Sequence, residues 1–208
     1  EIKFPLPLSP FGELPQMGKS SPQQMTTFID LMQTGQVKLL MLYDTNPVFT
    51  LPDVSNFQKA LEKVPFIVSF NSFMDETTSL ADLILPDHTY LERWGDDIPE
   101  PGLDIFLAGI MQPVVNPVLD TRATGDVLLW LAKGPGRELA GALPWKDYAE
   151  LLKERWRIIQ QSKRGSIQED DPEEFWATLL QVGYWWDSYT SLSPAISTKA
   201  KKVIPILP

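Results

Sequence analysis

Three short apolar runs set the limits on what this chain can fold into. VKLLMLY (37–43), PFIVSF (65–70) and DLILP (82–86) are too short for helices, and they lack the alternation of a strand with one wet face. Runs of this kind are strands buried on both faces, the habit of parallel sheets. Helix-compatible segments separate them. Ser21-Pro22 opens a stretch with Met25, Phe28, Ile29 and Met32 at helical spacing, closed by Gly35. Asp53 or Ser55 can cap a short helix carrying Phe57, Ala60 and Leu61. A turn, TTSLA, precedes the third run. Strand, helix, strand, turn, strand predicts an α/β chain holding half of a doubly wound parallel sheet.

The second half predicts helices and loops. Residues 95–122 are loop-rich, with the acids Asp96, Asp97, Glu100 and Asp104. Thr124-Gly125-Asp126 begins a helix that Gly134-Pro135 ends. Trp145 to Ile159 is amphipathic, with Trp145, Tyr148, Leu152, Trp156 and Ile159 on one face and Glu150 set against Lys153. Asp171-Pro172-Glu173-Glu174 combines an N-cap, a first-turn proline and first-turn acids, and Gly183 ends the helix it starts. Proline is dense near both termini, which are expected to be extended arms. The expected division is an arm over 1–20, an α/β dinucleotide-binding-like half-domain over 21–94, a loop and helical segment over 95–187, and an extended tail over 188–208.

Composition removes much chemistry. The chain has no Cys, which excludes disulfides, thiolate zinc, iron–sulfur ligation and cysteine catalysis within it. It has one His, too few for a multi-histidine metal site, and no metal-ligating set is expected. A formal net charge of -9 argues against nucleic acid. No run approaches the ~20 apolar residues that span a bilayer, so any membrane contact is expected through partners. GELPQMGKS (12–20) has five residues between its glycines where a phosphate-binding loop needs four, and it follows no strand. His88, near Asp82, Asp87 and Glu92, suits a structural role at a strand end better than general-base work.

The loops after the first two strands are the candidate binding region. Ligands of open α/β sheets sit beyond the carboxyl ends of the strands. DTNP (44–47) and NSFMDE (71–76) occupy those positions, so Asn46 and Asn71 are expected to face a common crevice.

Three segments, TNPVFTLPD (45–53), FIVSFNSFMDETTSLADLILPDHTYLERWGDD (66–97) and QPVVNPVLDTRATGDVLLWLAK (112–133), resemble the third domain of the molybdopterin-guanine-dinucleotide oxidoreductases. PDHTYLERW and ALPWKDYAELLKERW are similar to the polysulfide/thiosulfate reductase branch, and closer still to the molybdopterin-like part of the iron–sulfur subunit of alternative complex III. The resemblance implies that Asn46 and Pro47 lie near a cofactor guanosine. It also implies that Asn71 stands where the family usually has a guanine-reading Asp, and Asp75 where a Thr or Ser is common. Asp75 and Glu76 beside a dinucleotide would repel its phosphates.

The function implied is that of a scaffold in a membrane-associated, quinol-oxidising respiratory complex. It would hold no molybdenum, and its iron–sulfur and cytochrome partner subunits would carry the clusters and haem. The alternative is the guanosine-binding part of an active molybdenum enzyme, with Asn46, Pro47, Asn71 and Asp75 on a molybdopterin guanine dinucleotide. In either case the chain is expected to be an excised or split piece, or part of a larger subunit, on the periplasmic face of a bacterial cytoplasmic membrane.

Overall fold

In a computed structural model, residues 21–52, 55–98, 107–134 and 141–187 are described. The expected arms (1–20 and 188–208), the glycine-spaced segment at 12–20, Asp53, Glu100 and Asp104 lie outside them. The first helix, α1 (Pro22–Gln33), starts on a capping box. The Ser21 hydroxyl accepts from Gln24 N, and the Gln24 side chain accepts from Ser21 N at 2.7 Å. Pro22 sits at the position where a missing N–H costs nothing, and Gly35 takes φ +70° just beyond the end.

A parallel sheet follows, in the order β1 (Leu40–Leu42), β2 (Ile67–Ser69), β3 (Leu83–Ile84), with Met41 opposite Val68 and Val68 opposite Leu83. Short helices α2 (Pro47–Thr50) and α3 (Phe57–Leu61) link β1 to β2, and a 3-10 turn (Thr78–Leu80) precedes β3. Asp53 and Ser55 were the two candidate caps for α3; the Ser55 hydroxyl accepts from Phe57 N at 3.3 Å. Strand side chains alternate between faces. Leu42 and Ile67 join Ile29, Met32, Phe57, Ala60, Leu61 and Val64 in a core beneath α1 and α3. Val68 and Phe70 instead meet Val127 of α4 (Thr124–Ala132) on the opposite face.

The first strand departs from expectation. Only β2 is buried along its length, whereas Met41 of β1 is 52% exposed. The apolar run at 37–43 signals a strand that needs cover on both faces, but among the described residues that cover is present on one.

The second half also departs from a purely helical and loop reading. It contains an antiparallel sheet, in the order β4 (Gly95–Asp97), β5 (Leu107–Met111), β6 (Tyr184–Trp186), with Gly95 opposite Met111 and Ala108 opposite Trp185. Gly-Asp-Asp is poor strand material by propensity, and pairing across distant segments is what holds it in place.

Helices α5 (Tyr148–Gln161) and α6 (Pro172–Val182) lie against this sheet. Ala108, Leu152, Trp156, Ile159, Ile167, Phe175, Leu179 and Trp185 form their shared core. Helix α5 begins three residues after Trp145, because the Asp147 carboxylate accepts from Glu150 N at 2.9 Å and caps it there. The expected Glu150–Lys153 pair does not form. Lys153 reaches across to Glu173 of α6 at 2.5 Å, and Glu150 accepts from Lys146 N. Gly165 has φ +90°, and any side chain there would collide with the Trp185 indole.

Candidate functional site

The loops after β1 and β2 meet at the carboxyl ends of the parallel strands. Asp44 turns the chain out of β1 with φ +46°, a left-handed conformation that Asp tolerates better than most residues. Thr45 and Asn46 follow, and Pro47 is buried at the start of α2. From β2, Ser69 and Phe70 lead directly into Asn71.

Asn71 is 6% exposed and holds the first loop by its backbone. Its Oδ1 accepts from Thr45 N at 3.2 Å, and its Nδ2 donates to Thr45 O at 2.9 Å. Nδ2 also lies 2.8 Å from Asp75 Oδ2 and 3.0 Å from Thr78 Oγ1, so three acceptors surround two protons. The other Asp75 oxygen accepts from Thr78 N at 2.6 Å, capping the 3-10 turn.

Asn46 makes a second tie between the same loops. Its Oδ1 accepts from Thr77 Oγ1 at 2.6 Å, and its Nδ2 donates to Glu76 at 2.7 Å. The Thr77 hydroxyl in turn accepts from Val48 N at 3.0 Å, anchoring α2. The Asn46 hydrogen bond, helped by a backbone hydrogen bond, holds the Glu76 carboxyl below the ordinary glutamate range. Asn71 thus engages Asp75 and Asn46 engages Glu76, and both amides tie the same two loops together.

Sequence reasoning missed the residues that complete this network. Thr77 and Thr78 are fully buried, and Ser69 shares its hydroxyl with Thr78 at 2.9 Å. The adjacent threonines of DETTS were visible as a turn. Two hydroxyls between flanking strands require buried partners, and that requirement was the available signal.

The LPDHTYLERW segment forms a structural clasp beside these loops. Asp87 is 5% exposed; its Oδ1 accepts from Thr124 N at 2.7 Å and so caps α4 from another element. Its second oxygen lies 3.6 Å from Arg93 Nε. Glu92 accepts from Val118 N at 2.9 Å and Thr89 N at 3.0 Å, which together lower its pKa. His88 Nδ1 is 2.6 Å from Thr121 Oγ1, a loop-to-loop tie. Among the described residues, no group of three or more His, Asp or Glu side chains is arranged to hold a metal ion, and no helix is long and apolar enough to cross a membrane.

Comparison with known proteins identifies the family. The chain is 34% identical over 134 residues to the menaquinone reductase, molybdopterin-binding-like subunit of Nitratidesulfovibrio vulgaris, an alignment covering 63% of this chain and 19% of that protein. It is 30% identical over 111 residues to the thiosulfate reductase molybdopterin-containing subunit of Salmonella typhimurium, covering 53% of this chain and 14% of that one. Acetylene hydratase from Pelobacter acetylenicus superposes with a TM-score of 0.56 at 27% identity, over 65% of this chain and 18% of the hydratase. The chain therefore spans less than a fifth of the length of each of these relatives. The family model described as molybdopterin oxidoreductase matches residues 9–133, more than half of the chain, and the chain belongs to that family.

Proposed function

We propose that this chain is a scaffold portion of a membrane-associated, quinone-linked respiratory complex of the alternative complex III kind, built on a molybdopterin-oxidoreductase domain that holds no molybdenum. The observation that carries the reading is the commitment of Asn71. Its amide oxygen and nitrogen are both used on the Thr45 peptide, and Asp75 and Asn46 are likewise engaged.

These residues do not fit the guanine end of a dinucleotide cofactor. A guanine edge presents two adjacent donors, which call for a bidentate acceptor. Asn71 offers a single carbonyl oxygen, already bonded to Thr45 N, and a donor amide beside it. Asp75 and Glu76 place carboxylates beside Asn71 and Asn46, and their negative charge disfavours a phosphate-bearing ligand there. The family's cofactor is a molybdopterin, and no step is assigned to it in this chain.

Electrons would pass through iron–sulfur and cytochrome subunits of the assembly, and membrane contact would be made by partners. The complex would work on the extracytoplasmic face of the membrane. The relative named as a molybdopterin-binding-like subunit of a menaquinone reductase supports a place in a quinone-linked assembly.

The second reading is a guanosine-binding part of an active molybdenum enzyme of the polysulfide/thiosulfate reductase type, in which Asn46, Pro47, Asn71 and Asp75 contact a molybdopterin guanine dinucleotide. It is favoured by the match to a thiosulfate reductase subunit named as molybdopterin-containing, and it requires Asn71 to release Thr45. Titrating the native assembly with guanosine diphosphate, after any bound pterin has been extracted, separates the two. The scaffold predicts no saturable binding, and saturable binding lost in Asn71→Ala would overturn it.

A further inference from the structure

The strand-end loops carry an apolar surface as well as a polar network. Phe73 and Met74, on the loop after β2, are 79% and 71% exposed. Helix α2, tied to that loop through Asn46 and Val48, carries Phe49 at 74%. One exposed apolar side chain is ordinary, but three of this size on two joined loops mark an interaction surface. Asp75 and Glu76 continue the loop of Phe73 and Met74, and Asp44 stands at the start of the other loop. The amide partners of Asp75 and Glu76 satisfy hydrogen bonds but cancel no charge. None of the ion pairs among the described residues involves Asp44, Asp75 or Glu76. Large apolar side chains and unneutralised carboxylates therefore share one exposed edge.

The sequence contains a segment of complementary composition. From Ser188 to Pro208 there is no Asp or Glu, the longest stretch without an acid in a chain of formal net charge -9. Within it Lys199, Lys201 and Lys202 precede the apolar run Val203-Ile204-Pro205-Ile206-Leu207. The opposite terminal segment, 1–20, is balanced, with Lys3 and Lys19 against Glu1 and Glu13. Reach is sufficient. About a dozen residues lead from Asp187 to Lys199, and extended chain of that length spans about 40 Å. A folded chain of this size has a radius of gyration of about 17 Å.

We propose that the chain's own segment 199–207 seats on this edge, with Lys201 and Lys202 against Asp75 and Glu76, and Val203, Ile204 and Ile206 against Phe49, Phe73 and Met74. The inference rests on the scaffold reading, because the seat covers the crevice that a cofactor guanosine would need. It also gives that reading a physical device. The carboxylates that disfavour a phosphate attract a pair of lysines, and the segment fills the place of a ligand. Exposed ion pairs contribute little by themselves, so the apolar contacts supply the larger part of the docking and the charges set its register.

Carbodiimide cross-linking of the native assembly tests it without any substitution, since the reagent joins a lysine amine to a carboxylate in contact with it. Peptide mass spectrometry should find Lys199, Lys201 or Lys202 linked to Asp75 or Glu76, in higher yield than to Asp30 and Glu62, two exposed acids elsewhere on the surface. Links spread evenly over exposed acids, made chiefly to another subunit, or absent would overturn the seat. The paired substitution Lys201→Glu, Lys202→Glu should speed hydrogen exchange at 73–76 in the assembly, and unchanged exchange would also overturn it. Pterin fluorescence of the same cross-linked sample, after denaturation, keeps the two levels apart. No pterin and no link sinks the seat alone, whereas stoichiometric pterin sinks the scaffold reading and the seat together.

Discussion

The parallel half of the molecule and the antiparallel half solve the burial problem differently. In the antiparallel half, Trp156, Trp185, Phe175, Leu152, Ile159 and Leu179 are each at most 2% exposed, enclosed by β5, β6, α5 and α6. In the parallel half, the core beneath α1 and α3 is also buried, at no more than 7% exposed, but the opposite face is open over β1. What the parallel half lacks in apolar cover it has in polar ties, for its two strand-end loops are joined through Asn46, Asn71, Asp75, Thr77 and Thr78. One half is held by packing and closes on itself. The other adds a side-chain network to its packed core and presents a surface.

Substitutions should divide along that line. The largest effect is expected for Trp185→Ala, which empties a fully buried site and removes the Nε1 hydrogen bond to Arg164 O at 3.1 Å. A loss of about 3–5 kcal/mol in urea unfolding is expected. A loss of under about 1 kcal/mol would mean that the antiparallel half is not closed by packing.

Asn71→Ala comes next, at about 1–3 kcal/mol, because it strands the Thr45 peptide groups and an oxygen of Asp75. Asn71→Asp should cost at least as much, since its carboxylate would face Asp75 Oδ2. A neutral result for both would break the claim that polar ties hold the parallel half. Asp171→Ala removes the cap that accepts from Glu173 N and Glu174 N, and should cost about 1 kcal/mol through α6.

The smallest effect is a titration. The folded pKa of Glu76 is depressed, so the contribution of its Asn46 hydrogen bond is present above the unfolded value of about 4.3 and is lost as pH falls through the lower folded value. Carboxyl NMR titration of Asn46→Ala should show Glu76 moving up toward the ordinary range. An unchanged Glu76 would remove the Asn46–Glu76 bond from the network and leave Asn46 tied to Thr77 alone.

Much of the parallel half was legible in the sequence, because its signals are local. The Ser21 cap, Gly35, the three apolar runs and the Asn-Pro loop each act within a few residues. The antiparallel sheet was not legible. Gly95-Asp96-Asp97 is a strand only because Met111 and Ile110 lie opposite, and Tyr184–Trp186 only because Ala108 does. The Lys153–Glu173 pair was hidden for the same reason, since Glu173 lies on another helix and an in-helix partner looked closer.

At the candidate site the positions of Asn46 and Asn71 at neighbouring strand ends followed from topology. The hydrogen bonds by which each ties one loop to the other did not, because they depend on the geometry of two loops and two buried threonines. β1 shows the same limit from the other side. Its apolar run states a need for cover, and a strand cannot encode whether the cover comes from its own neighbours.

The most direct measurement is the molybdenum, tungsten and pterin content of the native assembly, quantified against this chain. The scaffold account predicts neither metal nor guanine-dinucleotide pterin at stoichiometric level, with the Asn71–Thr45 tie intact. Stoichiometric molybdenum or tungsten with guanine-dinucleotide pterin would contradict it.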